Sequence, residues 1–355
     1  MSEVQTDRCP LCGGDNACAM AAAGGEPAAC ENCWCRTTTV PAAAIARVPE
    51  PLRGRACICQ RCCHAAISEL PDGVTMCEDP GGRDAVRLAH GEQQVLIART
   101  GAQVLSWQTA HGDVLWTASA PAYEAGKPVR GGVPVVFPWF GDHATDADKP
   151  AHGFARSRDW QLVGTAPSAV TFALRDDDDS RTLWPHAFSL ELEVALTDAL
   201  RITMRCHNPS DVTFRFEQAL HTYFSVGSVH EASVHGLEGV LVTEHARRPE
   251  GTWDRQAPLR FRAETDRVFQ QTPDEIRLQA PALARAVTLR SRGARSAIVW
   301  NPWPEKTASL SQMLADDWQT FCCIETANCK ENAVTLAPGE RHEMTLTLTV
   351  DPRRT

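Results

Sequence analysis

The sequence predicts an all-β body, a large antiparallel β-sandwich, preceded by a small cysteine-rich head. Three observations carry this. Apolar and polar residues alternate persistently after about residue 85. Turn-forming clusters separate the alternating runs. Eleven of the 15 cysteines lie before residue 80, a composition break that marks a boundary. From these breaks we expect a head over 1–68, a Pro-, Gly- and acid-rich linker over 69–84, and a β-sandwich over 85–355.

The alternation has a physical basis. Successive side chains of a strand point to opposite faces, so a half-buried strand reads with period two. "FSLELEVAL" puts Phe188, Leu190, Leu192, Val194 and Leu196 on one face, with Ser189, Glu191, Glu193 and Ala195 on the other. "MTLTLTV" does the same with Met344, Leu346, Leu348 and Val350. "VTFAL" at 170–174 and "LRITMRC" at 200–206 follow the pattern, and "TDA", "HNPSD" and "SRGARS" supply turns. Many such strands with few helical stretches imply an antiparallel sandwich. "SLSQMLADDW", 309–318, is one candidate helical turn. "DDDD", 176–179, falls between two strands and reads as a solvated hairpin loop, not a metal site.

Composition excludes some functions. A chain of 355 residues accommodates roughly two domains, or one large β-domain plus an appendage. The net charge of -9 argues against a general nucleic-acid binder. Within residues 1–80, six Arg or Lys face ten Asp or Glu, so the head lacks a basic face for nucleic acid. No apolar run approaches the roughly 18 residues of a membrane span. The polar N-terminus carries acids and does not read as a secretory signal, so a cytoplasmic location is expected.

The head contains "CPLC", "CENCWC" and "CICQRCC". Cys9 with Cys12, Cys30 with Cys33, and Cys59 with Cys62 are CxxC pairs, the spacing at which thiolates on tight turns grip zinc tetrahedrally. A piece this small has little core of its own, so a metal staple is a natural source of stability. A redox-active or disulfide-bonded cluster is the competing reading. The segment resembles the short cysteine-rich CWC family, through CPxC, then CWC at 33–35, then CxCxxC at 57–62. The ligand candidates are Cys9, Cys12, Cys33, Cys35, Cys57, Cys59 and Cys62, and spacing does not assign which four share an ion. A structural zinc is expected here, and the head is open to a protein partner.

The chemistry-bearing stretch of the body is "QALHTYFSVG", 218–227. Period two puts Gln218, Leu220, Thr222 and Phe224 on one side, with Ala219, His221 and Tyr223 on the other. His221 thus sits between a small residue and an aromatic one, as in a lined cleft. "FCCIETANC", 321–329, alternates so that Glu325 shares a face with Phe321, Cys323 and Ala327. An acid on so apolar a strand is costly without a partner or a task. "VRGGVPVVFPWFG", 129–141, sets Arg130 beside Gly131 and Gly132, and "AHGFAR", 151–156, holds His152 and Arg156. Cys322 and Cys323 read as packing residues, and Trp300 and Trp303 as core.

With "ETDRVF" at 264–269 and "VWNPWPEK" at 299–306, these words, in this order, resemble the hexose-6-phosphate mutarotases, the glucose-6-phosphate 1-epimerase branch of the aldose-1-epimerase superfamily. The likeness spans roughly 85–352. It implies the galactose-mutarotase supersandwich, and an isomerase that interconverts the anomers of glucose 6-phosphate without a catalytic cofactor. It implies His221 as the acid and Glu325 as the base. It further implies Arg130 and Arg156 on the phosphate side and Asp266 on the sugar hydroxyls. We expect His152 to help position the sugar and Lys306 to stand at the rim. The chain departs at Ala151, where relatives can carry a substrate-contacting glutamine. A non-catalytic sugar-phosphate sensor and an epimerase of unphosphorylated aldoses are the rival readings.

Overall fold

The structure, a computed structural model, describes residues 6–22, 33–37, 40, 44–45, 48–60, 62–63, 70–124, 126–247 and 254–352. Cys30, with its expected CxxC partnership, lies outside them, as do the end of the expected head and residue 69.

The alternating runs form strands whose pairings are antiparallel. Nine strands make the largest sheet. At its centre the long strand Arg341–Pro352 lies between Leu200–His207 and Arg285–Arg292. Ser189–Leu196 pairs next to Leu200–His207 in a tight meander. The face read as apolar in "FSLELEVAL" is the buried one, with Leu190, Leu192, Val194 and Leu196 shielded from solvent. "DDDD" departs from the loop expectation. Asp177 caps a short helix, Asp178–Leu183, by accepting the Ser180 amide, so the acids occupy a helix start where their charge suits the peptide dipoles.

A second sheet has seven strands, most of them shorter. Its path runs Leu241–Glu244, Thr265–Gln270, Ser296–Asn301, Phe321–Asn328, Gln218–Leu220 and Val135–Val136, with Tyr223–Ser225 also paired to Phe321–Asn328. A continuous core joins the sheets. It contains Leu192, Met204 and Leu346 from the first and Val136, Leu220, Val299 and Ile324 from the second. Phe137 sits in this core among Phe154, Trp184, Phe188 and Phe216.

A third sheet of five strands begins with Val74–Glu78, paired to Asp84–His90. The stretch read as a linker therefore carries a strand. Gly73 and Gly82 adopt positive φ at its ends, which is why the segment looked like punctuation.

The head has a small core of its own, including Cys9, Ala44, Val48, Ile58, Cys59 and Cys63. Its described helical pieces are single turns, Ala19–Ala22, Trp34–Thr37 and the 3-10 turn Glu50–Leu52. Such short elements bury too little apolar surface to hold themselves.

Candidate active site

Glu325 lies in the middle of Phe321–Asn328. Two short strands pair with that strand in one uninterrupted register. Leu220 faces Thr326 before the break, and Tyr223 faces Cys323 after it. The intervening register sets His221 opposite Glu325. At the break the His221 amide donates to the Pro134 carbonyl instead of the ladder, at 3.0 Å. What the sequence reads as one strand is two, and the histidine marks the joint.

The His221 Nε2 and Glu325 Oε1 atoms are 3.4 Å apart. Ala219 pairs with Ala327 beside them, and these small side chains leave room on that face. One row along, Asp266 pairs with Trp300 and Trp300 with Cys323, so Asp266, Trp300, Cys323 and Tyr223 form a line across the same face. Tyr223 stacks on the His221 ring at 4.9 Å and 10°, and Trp300 meets it edge-on at 6.1 Å. Trp300 lies in the core, as expected, and also walls the site, and Tyr223 is a second wall residue.

The remaining expected residues converge here by other routes. His152 adopts φ +63° and its ring meets His221 edge-on at 5.5 Å. Arg156 donates from Nη2 to the Ala151 carbonyl at 2.7 Å, so the backbone of the departing residue still orients this guanidinium. Arg130 is held by its Nε to the Ser311 carbonyl at 2.9 Å, while Gln312 accepts its backbone amide at 3.0 Å. The expected helical turn over 309–318 thus serves as a bracket for Arg130, with helix Trp303–Thr307 before it and a 3-10 turn, Asp317–Thr320, at its end. Lys306 lies 3.4 Å from both Asp266 and Glu264.

Gly131 and Gly132 stand where neighbouring backbone leaves no room for a side chain. A Cβ on Gly132 would lie 2.1 Å from the Val104 carbonyl oxygen, and one on Gly131 would lie 2.5 Å from Thr117 Cα. They let neighbouring backbones meet, and so fix where Arg130 leaves the sheet.

The electrostatics follow from burial and neighbours. Burial, and then the Asp266 charge, push the Glu325 carboxyl well above the usual carboxylate range, with Arg156 opposing. Burial, then His152 and Arg156, push His221 well below the usual imidazole range. His152 is lowered to about 3 by burial and by Arg156, Arg130 and Lys330. Lys330, which the sequence did not single out, thus belongs to the same cationic surround. The pair favours neutral imidazole with protonated carboxyl. That form and the imidazolium–carboxylate form hold the same number of protons, so the pair carries one mobile proton either way. Nδ1 of His221 and Oε2 of Glu325 are buried with no protein partner among the described residues. Such atoms are costly unless a ligand engages them. A depression of about 690 Å³ on the nine-stranded sheet contains none of these residues, and its Arg205 and Arg290 are paired with Glu343 and Glu275.

In the head, the thiols of Cys9, Cys12, Cys59 and Cys62 all lie within 4.8 Å of one another. The Cys12–Cys59 sulfur separation is 3.7 Å, close to the edge of about 3.8 Å implied by four sulfurs at zinc bond length. These four are placed to hold a metal ion. Cys33, Cys35 and Cys57 stand outside that group.

The β-sandwich that carries this histidine–glutamate pair has the galactose mutarotase-like fold. Residues 84–349 match the aldose 1-epimerase family model and residues 9–64 the cysteine-rich CWC model. The chain belongs to the aldose 1-epimerase family. It is 32% identical to a protein of Escherichia coli named "Putative glucose-6-phosphate 1-epimerase", over 70% of this chain and 84% of that one. A protein of the same name from Cenchrus ciliaris is 29% identical over 71% of this chain and 80% of its own length. The crystal structure of a "putative mutarotase" from Salmonella typhimurium superposes with a TM-score of 0.72 at 26% identity, covering 82% of this chain and 99% of that one.

Proposed function

We propose that this protein is a hexose-6-phosphate mutarotase acting on glucose 6-phosphate, with His221 and Glu325 as its acid and base. The observation that carries the reading is their 3.4 Å approach, each with a second buried polar atom unengaged by protein. In a cyclic hemiacetal the C1 hydroxyl oxygen and the ring oxygen share one carbon. Two groups near enough to touch each other can therefore address both oxygens.

In this reading Glu325 as carboxylate takes the proton of the C1 hydroxyl. His221 as imidazolium gives its proton to the ring oxygen, the ring C–O bond breaks, and the C1 carbonyl forms. The enzyme is then left as neutral imidazole and protonated carboxyl, the form that burial favours in the protein. Rotation about C1–C2 presents the other carbonyl face, and the two proton transfers run backwards as the ring closes. No electron is gained or lost, so the residues themselves suffice for the chemistry.

Arg130 and Arg156 supply cations for the phosphate, whose charge is roughly -1.5 to -2 near neutral pH. Asp266 accepts from a sugar hydroxyl, His152 holds the sugar over the pair, and Lys306 keeps Asp266 ionised and oriented. The head and body serve as separate units, the head stapled by a structural zinc on Cys9, Cys12, Cys59 and Cys62 and free to take a protein partner. The 14 described cysteines are unbridged, which suits the reducing cytoplasm. Two-dimensional exchange NMR on glucose 6-phosphate tests the activity directly. Enzyme-dependent cross-peaks between the anomers are expected. Exchange on free glucose alone would favour an unphosphorylated substrate, and tight binding without exchange would favour a sensor.

A further inference from the structure

The three cysteines left outside the four-thiol group have a partner that sequence reading passed over. Cys18 Sγ lies 3.4 Å from Cys57 Sγ, and Cys35 Sγ lies 3.3 Å from Cys33 Sγ. The two pairs are themselves joined, because the Cys33 thiol is in hydrogen-bonding reach of Cys18 as well as Cys35. Four sulfurs from three segments thus neighbour one another, with two separations within about half an ångström of a tetrahedral thiolate edge, in a looser group than the first set.

We propose that Cys18, Cys33, Cys35 and Cys57 form a second thiolate site for a zinc-like divalent cation, making the head a two-metal module. A second observation points to a ligand here. Asn16 is fully buried and ties three ligand-bearing segments together. Its Oδ1 accepts from the Cys18 amide at 3.0 Å, its Nδ2 donates to the Cys57 carbonyl at 3.1 Å, and its own carbonyl accepts from Trp34 Nε1, between Cys33 and Cys35, at 3.1 Å. A buried side chain that fixes ligand backbones is outer-shell support of the kind that thiolate–metal centres use.

The order along the chain strengthens the assignment. The first site takes Cys9, Cys12, Cys59 and Cys62, and the second takes Cys18, Cys33, Cys35 and Cys57, nested inside it. Cys57 and Cys59, with one residue between them, go to different sets, Cys57 lying 3.4 Å from Cys18 and Cys59 3.7 Å from Cys12. The second site closes the loop from 18 to 57. The competing use of these thiols, a Cys18–Cys57 disulfide, leaves Cys33 and Cys35 with no role, since adjacent-turn geometry does not favour bridging them.

The test is metal counting on the full chain. Native mass spectrometry and elemental analysis of protein purified without chelator should give two zinc per chain and no disulfide. Cys18→Ser and Cys57→Ser should each lower the count to one while leaving the Cys9 set loaded. Cys9→Ser should also lower it to one, leaving the Cys18 set loaded, so the two sites report separately. In protein refilled with Co²⁺, the thiolate-to-metal absorption per chain should be about twice that of the Cys18→Ser variant. If a variant fails to fold, the wild-type count and native alkylation decide. One metal per chain with Cys18 freely alkylated, or a chain two hydrogens lighter with Cys18 joined to Cys57, would overturn the proposal.

Discussion

His221, at the joint between two short strands, and Glu325, in the middle of the strand both pair with, approach to 3.4 Å between Nε2 and Oε1. The register on either side of the break holds them there, and neither side chain needs a loop to reach the other. Strand-borne groups keep their geometry when the sheet is rigid, which is what a proton relay between two fixed oxygens requires.

Glu325→Gln keeps the shape and removes the base. We expect anomer exchange on glucose 6-phosphate to fall by about a hundredfold or more, with the melting temperature maintained or raised. His221→Asn should show a loss of the same order. A full rate in either variant, read by exchange NMR, refutes the role given to that residue.

Acid stability gives a test of opposite signs. His152 is lowered to about 3, so below its ordinary value near 6.5 the unfolded chain binds the proton and the folded one does not. Stability from this group is therefore lost as pH falls from about 6.5 toward 3. The raised Glu325 works the other way, because the folded state holds its proton where the unfolded state has lost it. Its contribution is fully present below about 4.3 and fades as pH rises. Urea melts between pH 7 and 4.5 should find His152→Asn less acid-sensitive than wild type and Glu325→Gln more so. Parallel curves for all three proteins would count against both shifts.

Arg130→Ala should cut kcat/KM for glucose 6-phosphate by about ten- to a hundredfold, the value of a charge-assisted hydrogen bond to phosphate. Slow turnover of free glucose should survive. Equal losses on the two sugars would remove phosphate recognition from this residue.

Asp266→Asn should raise KM more than it lowers kcat, because the residue holds a hydroxyl that does not react. A variant whose kcat collapses at unchanged KM would place Asp266 among the proton-transfer groups.

Gly132→Ala should destabilise the fold by about 2–4 kcal/mol, from positive φ and a clash with a carbonyl that has nowhere to go. The folded fraction should still bind substrate as wild type does. Unchanged stability would remove this packing role from Gly132.

The body was legible because period two survives in a half-buried strand whatever it packs against. "FSLELEVAL" announced its buried face without any tertiary information. The face shared by His221 and Tyr223, and the one shared by Glu325 and Cys323, were equally readable. Trp300 lies in the core as read, but its second place, edge-on to His221, depends on neighbours that the sequence does not give. "DDDD" was misplaced because helix capping depends on one Ser180 amide, which composition does not reveal. Cys18 was passed over because it has no CxxC partner. Its nearest thiol is Cys57, brought in by folding.

The sequence by itself determined the chemistry on offer, namely an imidazole and a carboxylate on apolar strands, arginines beside glycines, and thiols in pairs, since residue type and periodicity are local properties. Tertiary structure decided which of these meet. Strand register sets His221 against Glu325, and folding of the head sorts its thiols into sets, because both depend on distances between segments that no local pattern encodes.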